Sequence, residues 1–239
     1  MNFKEIFIDT IKYPFSNIAM FIIIGIIAVL ADLTSFLTTN GSTNMAILTV
    51  SFIITLIAMF YINGYRLSVI REGIVSSGEV PSLDPRIDFI EGVKSTLIEI
   101  AYFIIPIVVI LIFAFISGAA ISINANSVFA LGPLFIIVGV VLFILFALFG
   151  ETALLMFADT GDFWGSLSIS DVWNELEKIG ILRFLVFLIV LVIILFIILI
   201  IFSLISFIPV VGELIATFLI SGFSVLYTYY VLGLFYGGA

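Results

Sequence analysis

Apolar residues run in long unbroken blocks along this chain, separated by shorter stretches that collect nearly all the charge. Six blocks reach the roughly 20 mostly apolar residues that a helix needs to cross a bilayer. They lie at about 17–37, 45–65, 97–117, 129–150, 181–202 and 210–231. The run Ile18–Ala31 is followed by no small-residue cleavage site, so it reads as a retained first span rather than a signal peptide. The connectors at 38–44, 118–128 and 203–209 contain no Lys or Arg. All eight basic residues (Lys4, Lys12, Arg66, Arg71, Arg86, Lys94, Lys178 and Arg183) fall on the opposite side. The positive-inside rule makes that side the cytoplasm and puts both termini there. Trp164, Trp173 and all eight tyrosines fall near the same side, where an amphipathic ring is expected at the membrane interface.

Three stretches on that side share a pattern. Asn2, Asp84 and Ser168 have helix-capping side chains; Phe7, Phe89 and Trp173 follow five positions later. Asp9, Glu91 and Glu175 come next, and three positions beyond them stand Lys12, Lys94 and Lys178. The offsets between copies are constant, 82 and then 84 residues. An acid three positions before a lysine pairs with it on one helical face. Apolar residues recur at helical spacing in each copy: Phe3, Ile6, Phe7, Ile11; Ile87, Ile90, Val93, Leu97; Ile169, Val172, Trp173, Leu176. Each stretch therefore predicts a short amphipathic helix in the interface, leading into a transmembrane hairpin. The second span of each unit is predicted to end near a glycine (Gly64, Gly150, Gly233). The expected architecture is an all-α polytopic bundle forming one transmembrane domain. It has six spans in three units, at about 1–82, 83–166 and 167–239, around an axis along the membrane normal.

The first cytoplasmic loop carries Gly64-Tyr65, Val69-Ile70-Arg71, Gly78, Pro81, Asp84, Phe89, Gly92 and Lys94. In this it resembles an uncharacterised family of multi-pass archaeal and bacterial membrane proteins, classed as a domain of unknown function. That resemblance implies a helical membrane protein without an assigned activity, and it carries over no catalytic or binding residue.

Composition narrows the chemistry. Of the 239 residues, 64% are hydrophobic and 10% charged, with a mean hydropathy of +1.43. Soluble domains are about 45–50% apolar and about 25% charged, so a soluble fold is excluded. The net charge of −8 argues against nucleic acid as a partner and against a polybasic headgroup patch. With no Cys and no His, disulfides, thiolate nucleophiles, the usual zinc and haem sites and histidine general bases are excluded too. No cofactor is expected. Membrane lipids, and a membrane-protein partner, are the expected contacts.

Charges in or beside spans are the candidate functional positions. Asp32 lies in the outer third of the first span, either lining a cavity or reaching the outer headgroups. Arg66 and Glu151 stand just past the repeat glycines and would pair if the units pack around a common axis. Glu99 and Arg183 read as interfacial anchors, and Glu213 as a first-turn acid stabilising its helix dipole. Pro106 is expected to kink the third span. Asn40-Gly41-Ser42 is a glycosylation sequon close to the membrane. Asp159-Thr160-Gly161 matches the tripeptide of pepsin-like proteases, but that chemistry needs two such carboxylates and only one copy is present.

These features lead to a non-enzymatic membrane bundle acting as a scaffold, partner or lipid-contacting surface. A transporter with a path between the units, lined by Asp32, Pro106 and Glu151, is the alternative. An intramembrane enzyme would have to work with carboxylates alone.

Overall fold

A computed structural model describes residues 6–39, 41, 43–123, 125–208 and 211–238, with side chains described except at 113–114 and 116–136. Asn2, Phe3, Lys4, the sequon residues Asn40 and Ser42, and Pro209 lie outside the described residues. Every regular element among those described is helical. The α-helices are α1 (Ile18–Ala31), α2 (Leu33–Thr39), α3 (Met45–Ile74), α4 (Pro85–Ile123), α5 (Ala125–Thr160), α6 (Phe163–Leu167), α7 (Ile169–Ile179), α8 (Ile181–Ser203) and α9 (Gly212–Gly237). Short 3-10 turns at Asp9–Phe15 and Leu204–Phe207 accompany them.

Polar caps set the helix starts. Asp84 accepts the N–H groups of Arg86 and Ile87, both at 3.0 Å, and Ser168 accepts that of Asp171 at 3.4 Å, as their predicted capping roles require. Asn17 and Asn44 do the same for α1 and α3. Each supplies an acceptor to donors that a first turn leaves orphaned. Gly180, at φ +91°, separates α7 from α8 in a conformation that side-chain-bearing residues rarely adopt.

Among the described residues, five helices are long and apolar enough to cross a membrane: α3, α4 over Pro85–Ile112, α5 over Ile137–Thr160, α8 with its following turn, and α9. The expected first span differs. It is broken at Asp32, between α1 and α2, and α1 alone has 14 residues. The turn Asp9–Phe15 and α1 pass the length test only as a pair bent by 77°, which would make a sixth span. The helices also outrun their apolar blocks. α3 continues ten residues past Gly64 to Ile74, and α5 ten past Gly150 to Thr160, so the glycines do not end the helices.

The second interfacial helix is not a separate element. Its residues form the first turns of the 39-residue α4, within which Ser95 and Thr96 bond back to the Gly92 carbonyl (3.0 and 2.8 Å). α4 also runs on through Pro106. Of the acid–lysine pairs, Glu175–Lys178 forms at 2.7 Å, whereas Glu91 is taken by Arg71 and Asp9 makes no ion pair with Lys12.

α3 is central and packs against α1, α2, α4, α5 and α9. Its two closest crossings rest on glycine. A Cβ at Gly64 would overlap the Asp88 carbonyl of α4, and one at Gly92 would overlap the Phe60 carbonyl of α3. Gly73 meets Gly233 backbone to backbone on α9. Helices in lipid gain little from burying apolar surface against one another, so such close approach and interhelical hydrogen bonds supply the association. Gly150 has only ordinary contacts, the nearest being Phe103 at 3.5 Å, and its place in the pattern carries no such crossing.

Many of the tyrosines are buried and hold backbone at one end of the bundle. Tyr65 donates to the Pro81 carbonyl and Tyr13 to that of Glu79, both at 2.9 Å. Tyr230 accepts the Gly78 N–H at 3.1 Å. Tyr102 donates to Ser166 at 3.0 Å and Tyr227 to Phe7 at 2.9 Å. The loop between α3 and α4, α6 and the N-terminal segment are thereby tied to the helix ends. Phe187 stacks on Phe235 at 4.0 Å in the same region. Trp164 remains exposed, as an interfacial ring should be.

Candidate functional site

Two arginines on α3, five residues apart, organise the polar interior. Arg71 is fully engaged. It grips the Glu91 carboxylate of α4 with Nη1 and Nη2 (2.7 and 2.8 Å) and donates its Nε–H to the Ala158 carbonyl of α5 at 2.9 Å. Asp88, 1% exposed on α4, accepts from the Asp84 N–H at 2.7 Å and the Ser68 hydroxyl at 3.1 Å. These groups cross-link α3, α4 and α5 at one end, and every strong donor finds an acceptor.

Arg66 differs. It is 5% exposed, and only Nη1 is engaged. Nη1 pairs with Glu99 of α4 at 2.6 Å and donates to the Tyr229 hydroxyl of α9 at 3.2 Å. The guanidinium carbon also stands 5.4 Å from the centroid of the Tyr229 ring, within cation–π range. Nε and Nη2 are buried without an acceptor. Glu99 keeps 28% of its side chain open and heads an apolar groove of about 230 Å³ lined by Ile100, Phe103, Ile104 and Ile107. Glu151 of α5 is partly buried and lies within electrostatic reach of Arg66, Glu99 and Tyr229.

The predicted positions thus divide. Arg66 and Glu151 come within electrostatic reach of each other, but the ion partner of Arg66 is Glu99, because α3 crosses α4 closely at Gly64 and Gly92 and brings that carboxylate in. Glu99 thus has an ion partner within the bundle, while Arg183 is exposed at the start of α8 and set 5.1 Å over Phe235. Asp32 is exposed at the α1–α2 break, where its N–H closes α1, and its side chain makes no hydrogen bond or ion pair among the described residues. Sequence reasoning missed Glu99 and Tyr229 as members of the site. For Glu99 a signal was present, an acid inside an apolar block, the same feature that marked Asp32. For Tyr229 there was none, since it belongs to a run of three tyrosines within four positions. Among the described residues no group of three or more Asp or Glu is placed to hold a metal ion.

Residues 47–210 match the family described as "Protein of unknown function (DUF4013)". The chain belongs to this family. The match covers Arg66, Glu99 and Glu151, while Asp32 and Tyr229 lie outside it. No curated protein and no solved structure matches the chain.

Proposed function

We propose that this DUF4013 chain is an integral membrane bundle of six spans, without enzymatic activity, that works through its lipid-facing surface as a scaffold or partner. The observation that carries the reading is the outward face of α8. Leu182, Val192, Phe196, Ile197 and Ile201 are all more than half exposed there, a face suited to hydrocarbon rather than water. Apolar grooves of about 300 and 360 Å³ open on the surface, chemically suited to acyl chains; one is lined by Val29, Leu30, Leu214 and Phe218, the other by Leu37, Ile47, Val50 and Ile54. Copurification from nanodiscs, followed by native mass spectrometry, should find lipid retained on the folded chain. Release of a lipid-free chain under gentle conditions would remove the lipid-contacting part of the reading.

The cytoplasmic placement of both termini, in the cell membrane, rests on the one-sided basic residues. Single cysteines at Ser122 and Ser206 should label from outside, and those at Ser76 and Ser168 only after permeabilisation. Labelling at Ser76 in intact cells would reverse the orientation. The three-unit repeat is supported by the capping roles of Asp84 and Ser168 and by the equal overrun of α3 and α5 past their glycines.

A transporter is the second reading, and the observation favouring it is the charged group inside the spans at Arg66, Glu99 and Glu151. In proteoliposomes, flux altered by E151Q or D32N at unchanged expression would favour it.

A further inference from the structure

The turn Asp9–Phe15 meets α1 at 77°, so where α1 enters the membrane this turn lies nearly flat along the surface. Side chains three apart eclipse one another in a 3-10 turn. Asp9, Lys12 and Phe15 therefore stand in one row, running from an acid through a base to an aromatic ring beside the start of α1. Phe15 leans on Phe21 of α1 and Phe223 of α9, with ring centroids 5.3 and 5.9 Å away, and stays exposed. Ile8 and Ile11, in the next row, are exposed too, as a segment resting on acyl chains requires.

Asp9 and Lys12 open onto a cavity of about 360 Å³ that Ser76, Gly78 and Tyr230 also line. Its wall is fixed. Tyr13 and Tyr230 stack there at 3.7 Å, nearly parallel, while their hydroxyls hold the Glu79 carbonyl and the Gly78 N–H. Three donors in this cavity find no acceptor among the described residues: the Lys12 ammonium, the Ser76 hydroxyl, and the O–H of Tyr230, whose oxygen accepts from Gly78. The Asp9 carboxylate finds no donor there, and despite the shared row it makes no ion pair with Lys12. An anion alone would be repelled by Asp9, and a cation alone by Lys12. A ligand carrying both charges satisfies both.

We propose that this cavity binds the headgroup of a zwitterionic phospholipid, with its ammonium at Asp9 and its phosphate at Lys12, Ser76 and Tyr230. The order ammonium, phosphate, acyl chain in such a lipid is the order Asp9, Lys12, Phe15 in the row, so the chains pass Phe15 into the membrane. A primary ammonium suits Asp9 because it can donate hydrogen bonds to the carboxylate. The inference rests on the lipid-contacting reading above and names the lipid class.

The test is native mass spectrometry of the full chain in micelles, offered phosphatidylethanolamine and phosphatidylglycerol of matched chains in equal amounts. The wild-type chain should retain the ethanolamine lipid over the glycerol lipid by about fivefold. D9N and K12Q should each bring that ratio to about one or below; both side chains are exposed, so neither change removes core packing. K94Q, which removes an exposed charge on α4, should leave the ratio unchanged. Soluble phosphoethanolamine at the lipid's concentration should displace nothing, since it lacks the chains. Equal retention by the wild-type chain, a preference that persists in either D9N or K12Q, or the same loss in K94Q would each overturn the proposal. Displacement by phosphoethanolamine would overturn the lipid assignment and mark a site for a soluble zwitterion. A chain that retains neither lipid would overturn the underlying lipid-contacting reading as well, whereas lipid retained without preference overturns this inference alone.

Discussion

Arg66 and Arg71 share a helix, and each has a glutamate partner on α4, yet they do opposite things with their donors. Arg71 sits near the helix end, with 34% of its side chain exposed, and has all its nitrogens placed on Glu91 and the Ala158 carbonyl. Arg66, deeper in the bundle, leaves two nitrogens empty. A satisfied, half-wet arginine is a fastener. One that is dry and half-satisfied holds a charge ready for another partner, and buried groups of that kind cluster at functional positions in membrane proteins. The comparison shows that depth alone does not decide whether an ion pair is structural; the donor count does.

The sharpest way to break the contrast is Arg66→Leu. Removing one member of a buried pair costs roughly 3–5 kcal/mol, and the partial opening of Glu99 sets the expectation near the lower end, about 3 kcal/mol. Denaturant titration in mixed micelles would measure it, and a loss under about 1 kcal/mol would mean that the pair contributes little. Arg71→Ala should cost less, about 1–2 kcal/mol, because water replaces part of what the half-exposed pair loses. If the two variants ranked in reverse, the fastener would be the more buried residue. Lys178→Ala is the limiting case. The Glu175 carboxylate raises the pKa of the fully exposed Lys178 ammonium, so any contribution is present at neutral pH and lost only as the solution becomes strongly alkaline. No displacement of the unfolding midpoint is expected between Lys178→Ala and the wild-type chain at neutral pH.

Much of the frame was legible in the residue pattern. Five of the six apolar blocks became long helices, and Asp84 and Ser168 cap helices as their positions suggest. The break at Asp32 is not legible in block length, because a single polar residue near one end of an apolar run does not by itself show that the helix stops there. The places of Arg66 and Glu151 after equivalent glycines suggest that they pair, yet Arg66 pairs with Glu99. Which carboxylate it meets depends on which helix approaches closest. The crossing at Gly64 and Gly92 decides this, and a single sequence does not reveal which glycines meet. Apolarity was also a poor guide to burial. α8 is the more apolar of the last two helices, but its span is only 17% buried, against 56% for α9. α9 carries Gly222, Gly233 and Gly237 and the tyrosines that bond across the bundle, whereas lipid solvates α8 as well as protein would.

The segment between α3 and α4 reads as a flexible linker, Ser-Ser-Gly-Glu-Val-Pro-Ser. Tyr13, Tyr65 and Tyr230 hold it at three points within four residues, through Glu79, Pro81 and Gly78. A protease has to draw such a strand out straight before it can cut. Cleavage after the exposed Glu79 therefore waits for three phenol bonds to release together, and its rate counts how often that end of the bundle opens.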